Sequence, residues 1–543
     1  MNDQKIENLL NLALESTPRE RQESLELDVG YDRADRTWDL IVRFNGDILA
    51  LEDESLEVTP LYGQYAVVTI PESRIFELAS RPEIEYIEKP KRLFFSVNQG
   101  KAASCVSAVQ TARFDLFGQG TILAVIDSGA DYRHPDFRNE DGTTRILDYW
   151  DQTVAGRPPE GYRIGTAFTR ADLNALLGVE GAEEPPENSA FAAGLRPSVD
   201  VSGHGTQVLG IAAGNGRASD GIYQGMAPQS DILVVKLGTP RPDGFPRTAE
   251  LIQAVDYVVK KAIAYGKPTA INLSFGNNYG SHNGTSLIET YLNDVSNLGR
   301  LTIAVGTGNE GSTASHTSGT LQAGRTTDVE LGIAAYEPSL NVQIWKAYED
   351  QFEISVVHPD GQVAGPFQER LGAQRFLVGN TNLLVYYGEP APYSTAQEIY
   401  IDFLPVGEYI DSGVWKIRLT PKKLVDGRYD LWLPGGQVQS PATRFYEPTV
   451  EATLTIPSTA RKVISVAAYD SRLMTYAPFS GRGYLEPGRV VKPDLAAPGV
   501  EILTTAAGGG YVRVSGTSFA TPFVAGAGAL LMQWGERVII LSS

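Results

Sequence analysis

A single cysteine in 543 residues, Cys105, rules out an internal disulfide and fits a reducing compartment. Long apolar runs are missing too, and no stretch approaches the ~18 consecutive apolar residues of a membrane span. The opening MNDQKIENLLNLALES has neither the basic start nor the uninterrupted apolar core of a secretory signal, so an intracellular location is expected. Basic residues are outnumbered, 46 Lys and Arg against 65 Asp and Glu, and the net charge of −19 argues against nucleic acid or membrane surface as partners. Acidic residues show no ligand spacing such as an EF-hand loop, so no metal and no cofactor are expected. Histidine is scarce. His134, His204, His282, His316 and His358 are the five, which shortens the search for a catalytic base.

What remains is ample for burial. A hydrophobic content of 42% over this length predicts about three domains. Residues 31–96 read as a small α/β unit: WDLIVRF (38–44) and YAVVTIP (65–71) alternate as strands, SRIFELAS (73–80) is amphipathic, and EIEYIEKP (83–90) follows. From about residue 112 strands alternate with helices. TILAVID (121–127), DILVVKL (231–237), PTAINLSF (268–275) and LTIAVGT (301–307) are nearly continuous apolar strands, while GHGTQVLGIAAG (203–214) and AELIQAVDYVVKKAIAYG (249–266) have helical spacing. That grammar predicts a parallel sheet covered on both faces, with function at the carboxyl ends of its strands. Near residue 320 it gives way to about eight short alternating strands, from DVELGIAAY to YDLWLP, expected to form an antiparallel β-sandwich of jelly-roll type. It resumes at KVISVAAY (462–469), so one domain is inserted into another. The expected division is 1–96, 97–320, 321–449 and 450–543.

A serine hydroxyl is a poor nucleophile without a base, and a histidine base needs an acid to orient it. Ser518 lies in SGTSFATPFVAGAGALLMQW (515–534), where small residues let a helix N-terminus approach a substrate and favour developing negative charge. Pro522 is expected in the first turn of that helix, where its missing N–H costs little. His204, with glycine on both sides, has room to reach a nucleophile; the other four histidines lie in polar loops, in the β insert or just after an aspartate strand. Asp127 ends the strand TILAVID. Each feature alone is common: GTS usually marks a loop, VIDSG a capped turn, and an Asn in a glycine-rich turn a turn former.

Together, VIDSG (125–129), GHGT (203–206), GTGNEG (306–311) and GTSFATP (516–522) resemble the four signature motifs of the subtilase family, in its order Asp, His, Asn, Ser. The resemblance implies that Asp127 orients His204, that His204 takes the proton of Ser518, and that Asn309 donates to the oxyanion. It also implies that Ser274, Phe275 and Gly276 form a substrate-binding strand, with Gly306, Thr307 and Gly308 as the opposite wall of the pocket. Phe275 reads equally well as core. By the same resemblance residues 1–96 are a propeptide bound in the cleft of its own enzyme, with self-cleavage between Phe94 and Lys101; a permanent docking domain is the other reading. A propeptide, a subtilase core and a β-sandwich between the Asn and Ser motifs resemble the clostridial Csp germination proteases, which act on the precursor of a spore cortex-lytic enzyme. A catalytically silent binding partner of the same fold stays open as an alternative.

Overall fold

The computed structural model describes residues 4–92, 94–95, 106, 109–111, 113–240, 246–392, 394–435, 438–484 and 491–542. At its centre is a nine-stranded sheet. Its strands Ile464–Asp470, Leu301–Gly306, Thr269–Leu273, Ile122–Asp127, Asp231–Lys236 and Ile146–Asp151 lie side by side in that order, all parallel. Every residue of Ile122–Asp127 is buried, because both faces of the sheet are covered. The two-residue period of the strand sends Ile122, Ala124 and Ile126 into one core with the helices Thr248–Tyr265 and Leu287–Val295. Leu123 and Val125 face the other core, against the helix His204–Ala213 and the residues after Ser518.

The sequence-predicted strands and helices of this core are all present, and so is the mixed α/β class. Strands Ile146–Asp151 and Thr166–Thr169 and the helices Arg170–Leu177 and Leu287–Val295 were not foreseen. The insert forms two antiparallel sheets, of six and five strands, that share one apolar core. The expected eight strands are joined by His316–Thr320, Val363–Ala364 and Arg444–Phe445, each too short or too polar to show an alternating pattern.

The N-terminal unit is a five-stranded antiparallel sheet. Ile41, Tyr65, Val67 and Tyr86 on one face join the core under Thr248–Tyr265. The other face packs Trp38, Leu40 and Val42 against the helix Asn8–Glu15, whose far side meets Leu384, Tyr386, Tyr400 and Leu404 of the sandwich. That helix therefore wedges the N-terminal sheet to the insert. Asn8 fixes it by donating to the Glu389 carbonyl at 3.0 Å and accepting from the Glu389 N–H at 3.3 Å. Beside it, buried Lys91 is held by Glu7 at 2.7 Å and Glu88 at 2.8 Å, while Glu88 also accepts the Leu287 N–H of the core.

Two further carboxyls lie on the sandwich strand facing this junction. Burial, reinforced by the nearby carboxylates of Glu7 and Glu26, pushes Glu398 and Asp402 each up to about 8 from ordinary values of 4.5 and 3.8. Both folded values lie above the unfolded ones, so their contribution is complete below about pH 4 and is lost as pH rises through about 8. The slope is up to about 1.4 kcal/mol per pH unit for each group. Melting temperatures measured from about pH 5 to about pH 8 are expected to fall with rising pH and to level off above that. Combining Glu398→Gln with Asp402→Asn, neutral at every pH, is expected to flatten that fall; an unchanged slope would contradict the assignment.

Candidate active site

Asp127 stands at the carboxyl end of its strand, fully buried. Its Oδ1 accepts from Nδ1 of His204 at 2.6 Å and from the Ser128 N–H at 2.7 Å. Burial raises the Asp127 carboxyl above its ordinary range, and the imidazole and the Ser128 N–H offset part of that rise. A carboxylate only accepts, so Nδ1 carries the proton and Nε2 keeps its lone pair. His204 is the first residue of its helix and is 3% exposed. Glycine at 205 is what lets the helix come this close, because a Cβ there would meet the Gly129 carbonyl oxygen at 2.0 Å.

Ser518 is the second residue of the helix Thr517–Ser542 and is buried. Pro522 is inside that helix rather than in its first turn, because the helix starts at Thr517. Its missing N–H leaves the carbonyl of Ser518 without an intrahelical donor. The hydroxyl of Ser274 fills the vacancy at 3.0 Å, and the Ser518 hydroxyl donates in return to the Ser274 carbonyl at 3.1 Å. Phe519, the next residue, brings its ring to 5.1 Å from that of His204, and Phe275 lies at 6.4 Å on the same imidazole. The residue after the nucleophile candidate thus contacts the imidazole of the Asp127–His204 pair.

Asn309 follows the strand Leu301–Gly306. Its Oδ1 accepts from both the N–H and the hydroxyl of Thr517 at 3.1 Å, which turns its NH₂ away from the helix. Ser274, Phe275 and Gly276 continue from the neighbouring strand; Phe275 and Gly276 pair antiparallel with Phe95 and Phe94 of the N-terminal unit. Thr307 is fully buried, its N–H bonded to the Val466 carbonyl. The site residues read from the sequence therefore converge on one edge of the sheet.

A family model described as "Subtilase family" matches residues 118–372 and 443–537. The chain belongs to the subtilase family. A second model, "Csp protease B prodomain", matches residues 4–91. Among solved structures, this subtilase resembles the CspB protease of Clostridium perfringens, with a TM-score of 0.71 and 33% identity over 80% of this chain and 86% of that one. Among curated proteins it resembles the PII-type proteinase of Lactococcus lactis subsp. cremoris, 24% identical over 77% of this chain, and the C5a peptidase of Streptococcus pyogenes, 23% identical over 77%. It spans only 22% of the former and 35% of the latter.

One residue of this subtilase site escaped the sequence reading. Thr455 fills the space between the two pocket walls: a Cβ on Gly276 would meet its Oγ1 at 2.2 Å, and one on Gly308 its Cγ2 at 2.4 Å. Nothing local in TLTIP marks it; only the approach of two distant strands does. Thr455→Gly is expected to open the pocket and raise kcat/KM about 10-fold for peptides with a large residue before the cut, read by comparing Ala and Phe at that position. Among the described residues, no helix is long and apolar enough to cross a membrane and no group of His, Cys, Asp and Glu is arranged to hold a metal.

Proposed function

We propose that this chain is a serine endopeptidase that processes its own N-terminal unit and then cleaves protein substrates. The carrying observation is the 2.6 Å hydrogen bond from His204 to buried Asp127, with Phe519, the neighbour of Ser518, packed 5.1 Å from the same imidazole. In this reading the Ser518 hydroxyl turns from the Ser274 carbonyl to Nε2 of His204, gives up its proton and attacks the scissile carbonyl. The new C–O bond pushes charge onto the carbonyl oxygen, which the Asn309 NH₂ and the Ser518 N–H receive. Collapse expels the amine, which takes the proton back from His204. Water, deprotonated by the same imidazole, then releases the acyl group. Asp127 keeps the tautomer and holds the charge of the imidazolium. Asn309→Ala is expected to cost about 10²–10³ in kcat with KM little changed, in steady-state cleavage of a fluorogenic peptide.

The N-terminal unit is read as a propeptide in the cleft. Phe94 and Phe95 add an antiparallel strand to Phe275 and Gly276, the mode by which an extended peptide binds a sheet edge. The expected cut between Phe94 and Lys101 falls mostly on residues 96–101, which lie outside the described residues. The register of the described pair still orders the reacting complex. Phe94 opposes Gly276 and Phe95 opposes Phe275, and the carbonyl of the adjoining Ser274 receives the Ser518 hydroxyl. The germination role implied by the Csp resemblance, activating a cortex-lytic enzyme precursor, completes the reading and is supported by the prodomain match.

Intact-mass measurement of the purified protein tests it. Two species, an N-terminal fragment ending between Phe94 and Lys101 and the remainder of the chain, are expected. Full-length chain alone, under conditions where the protein is folded, would remove self-processing and favour a binding partner without catalysis.

A further inference from the structure

We propose that Asp200 is a positioning residue for catalysis, locking the Asp127 loop to the start of the His204 helix; this rests on the protease reading above. It lies in SVDVSG (198–203), four residues before His204. In the fold it is 3% exposed and is surrounded by donors. Its Oδ1 accepts from the Ser128 hydroxyl at 2.8 Å, the Gly203 N–H at 3.0 Å and the Ser202 hydroxyl at 3.3 Å. Its Oδ2 accepts from the N–H of Thr206 at 2.9 Å and from its hydroxyl at 2.7 Å.

Each of those three hydroxyls, having spent its proton on Asp200, is left as an acceptor and takes a backbone N–H. Ser128 receives the N–H of Gly205 at 2.9 Å, Ser202 that of His204 at 3.2 Å, and Thr206 that of Asp131 at 2.9 Å. The bonds cross between the two segments in both directions. Ser128, next to Asp127, holds the helix, and Thr206, two residues after His204, holds the loop. One buried carboxylate thus sets the polarity of the three hydroxyl-mediated links, which act beside the direct bond from His204 to Asp127.

An amide cannot replace it. Asparagine keeps one acceptor oxygen but would aim an NH₂ at the donors of the other side, so the Thr206 N–H would lose its partner. Removing the charge also takes a negative group from the neighbourhood of the imidazole, which favours its neutral form.

The test is the rate of covalent labelling by a fluorophosphonate across pH, with the final stoichiometry of labelling reporting the folded fraction. For Asp200→Asn the account expects labelling to reach the wild-type stoichiometry about 10²-fold more slowly, with the acid limb of the rate profile displaced to lower pH. Ser128→Ala, which cuts one crossing link, is expected to slow labelling in the same direction and by less, and it decides the matter if Asp200→Asn does not fold. A purely structural Asp200 would lower the stoichiometry or the melting temperature while leaving the rate and its pH profile at wild-type values; that result overturns the proposal. Wild-type protein that takes no label overturns the protease reading, and this inference with it.

Discussion

Ser518→Ala is expected to lower turnover by about 10⁶-fold and to be recovered as one uncut chain, while leaving the melting temperature within a few degrees of wild type. The size follows from what the hydroxyl does. It forms the bond to the acyl group, and the neighbouring Ser274 hydroxyl is tied to the Ser518 carbonyl. Little stability is lost because the hydroxyl makes one bond at 3.1 Å to a carbonyl. The backbone N–H and the Asn309 amide remain, so residual activity above the uncatalysed rate is expected from charge stabilisation alone. Gel and mass analysis of freshly purified protein reads the processing, and a peptide assay reads the turnover.

Asp127→Asn carries the second largest effect, about 10⁴-fold in kcat at neutral pH. The side chain is fully buried and its Oδ1 takes two bonds, one from Nδ1 of His204 and one from the Ser128 N–H. An asparagine that keeps its oxygen on Ser128 presents either a shared acceptor or an NH₂ to the imidazole. In the second case Nδ1 must accept, the proton moves to Nε2, and the lone pair that should receive the Ser518 proton is gone. The loss is in kcat, with KM unchanged, because no substrate atom touches Asp127. An equal fall in labelling by a fluorophosphonate is expected, since that reaction needs the same proton transfer.

How far the sequence carries to this site depends on how local each cause is. GHGT was legible because the reason for its glycines sits within a few residues: the helix must start at His204, and Gly205 must pass the Gly129 carbonyl. The parallel core was legible because strands buried on both faces leave nearly unbroken apolar runs. Thr455 was not, since its role exists only where Gly276 and Gly308 meet around it. The same holds for the exchange between Ser274 and Ser518, which depends on the proline four residues on having no N–H to offer. The helix Pro18–Glu23 does carry a readable signal, a capping box from Thr17 to Glu20 with Pro18 at its first position. Asn8–Glu15 has no capping hydrogen bond from the side chain of its N-cap residue Glu7, and part of the surface that buries it belongs to strands more than 350 residues away.

The account stands on one hydroxyl being activated by the imidazole beside it. Peptide mapping of the folded protein after reaction with a fluorophosphonate asks this directly. The prediction is a single adduct, close to one per chain, on the peptide that contains Ser518, formed slowly or not at all in Asp127→Asn. An unlabelled protein, or label confined to another serine, would contradict it.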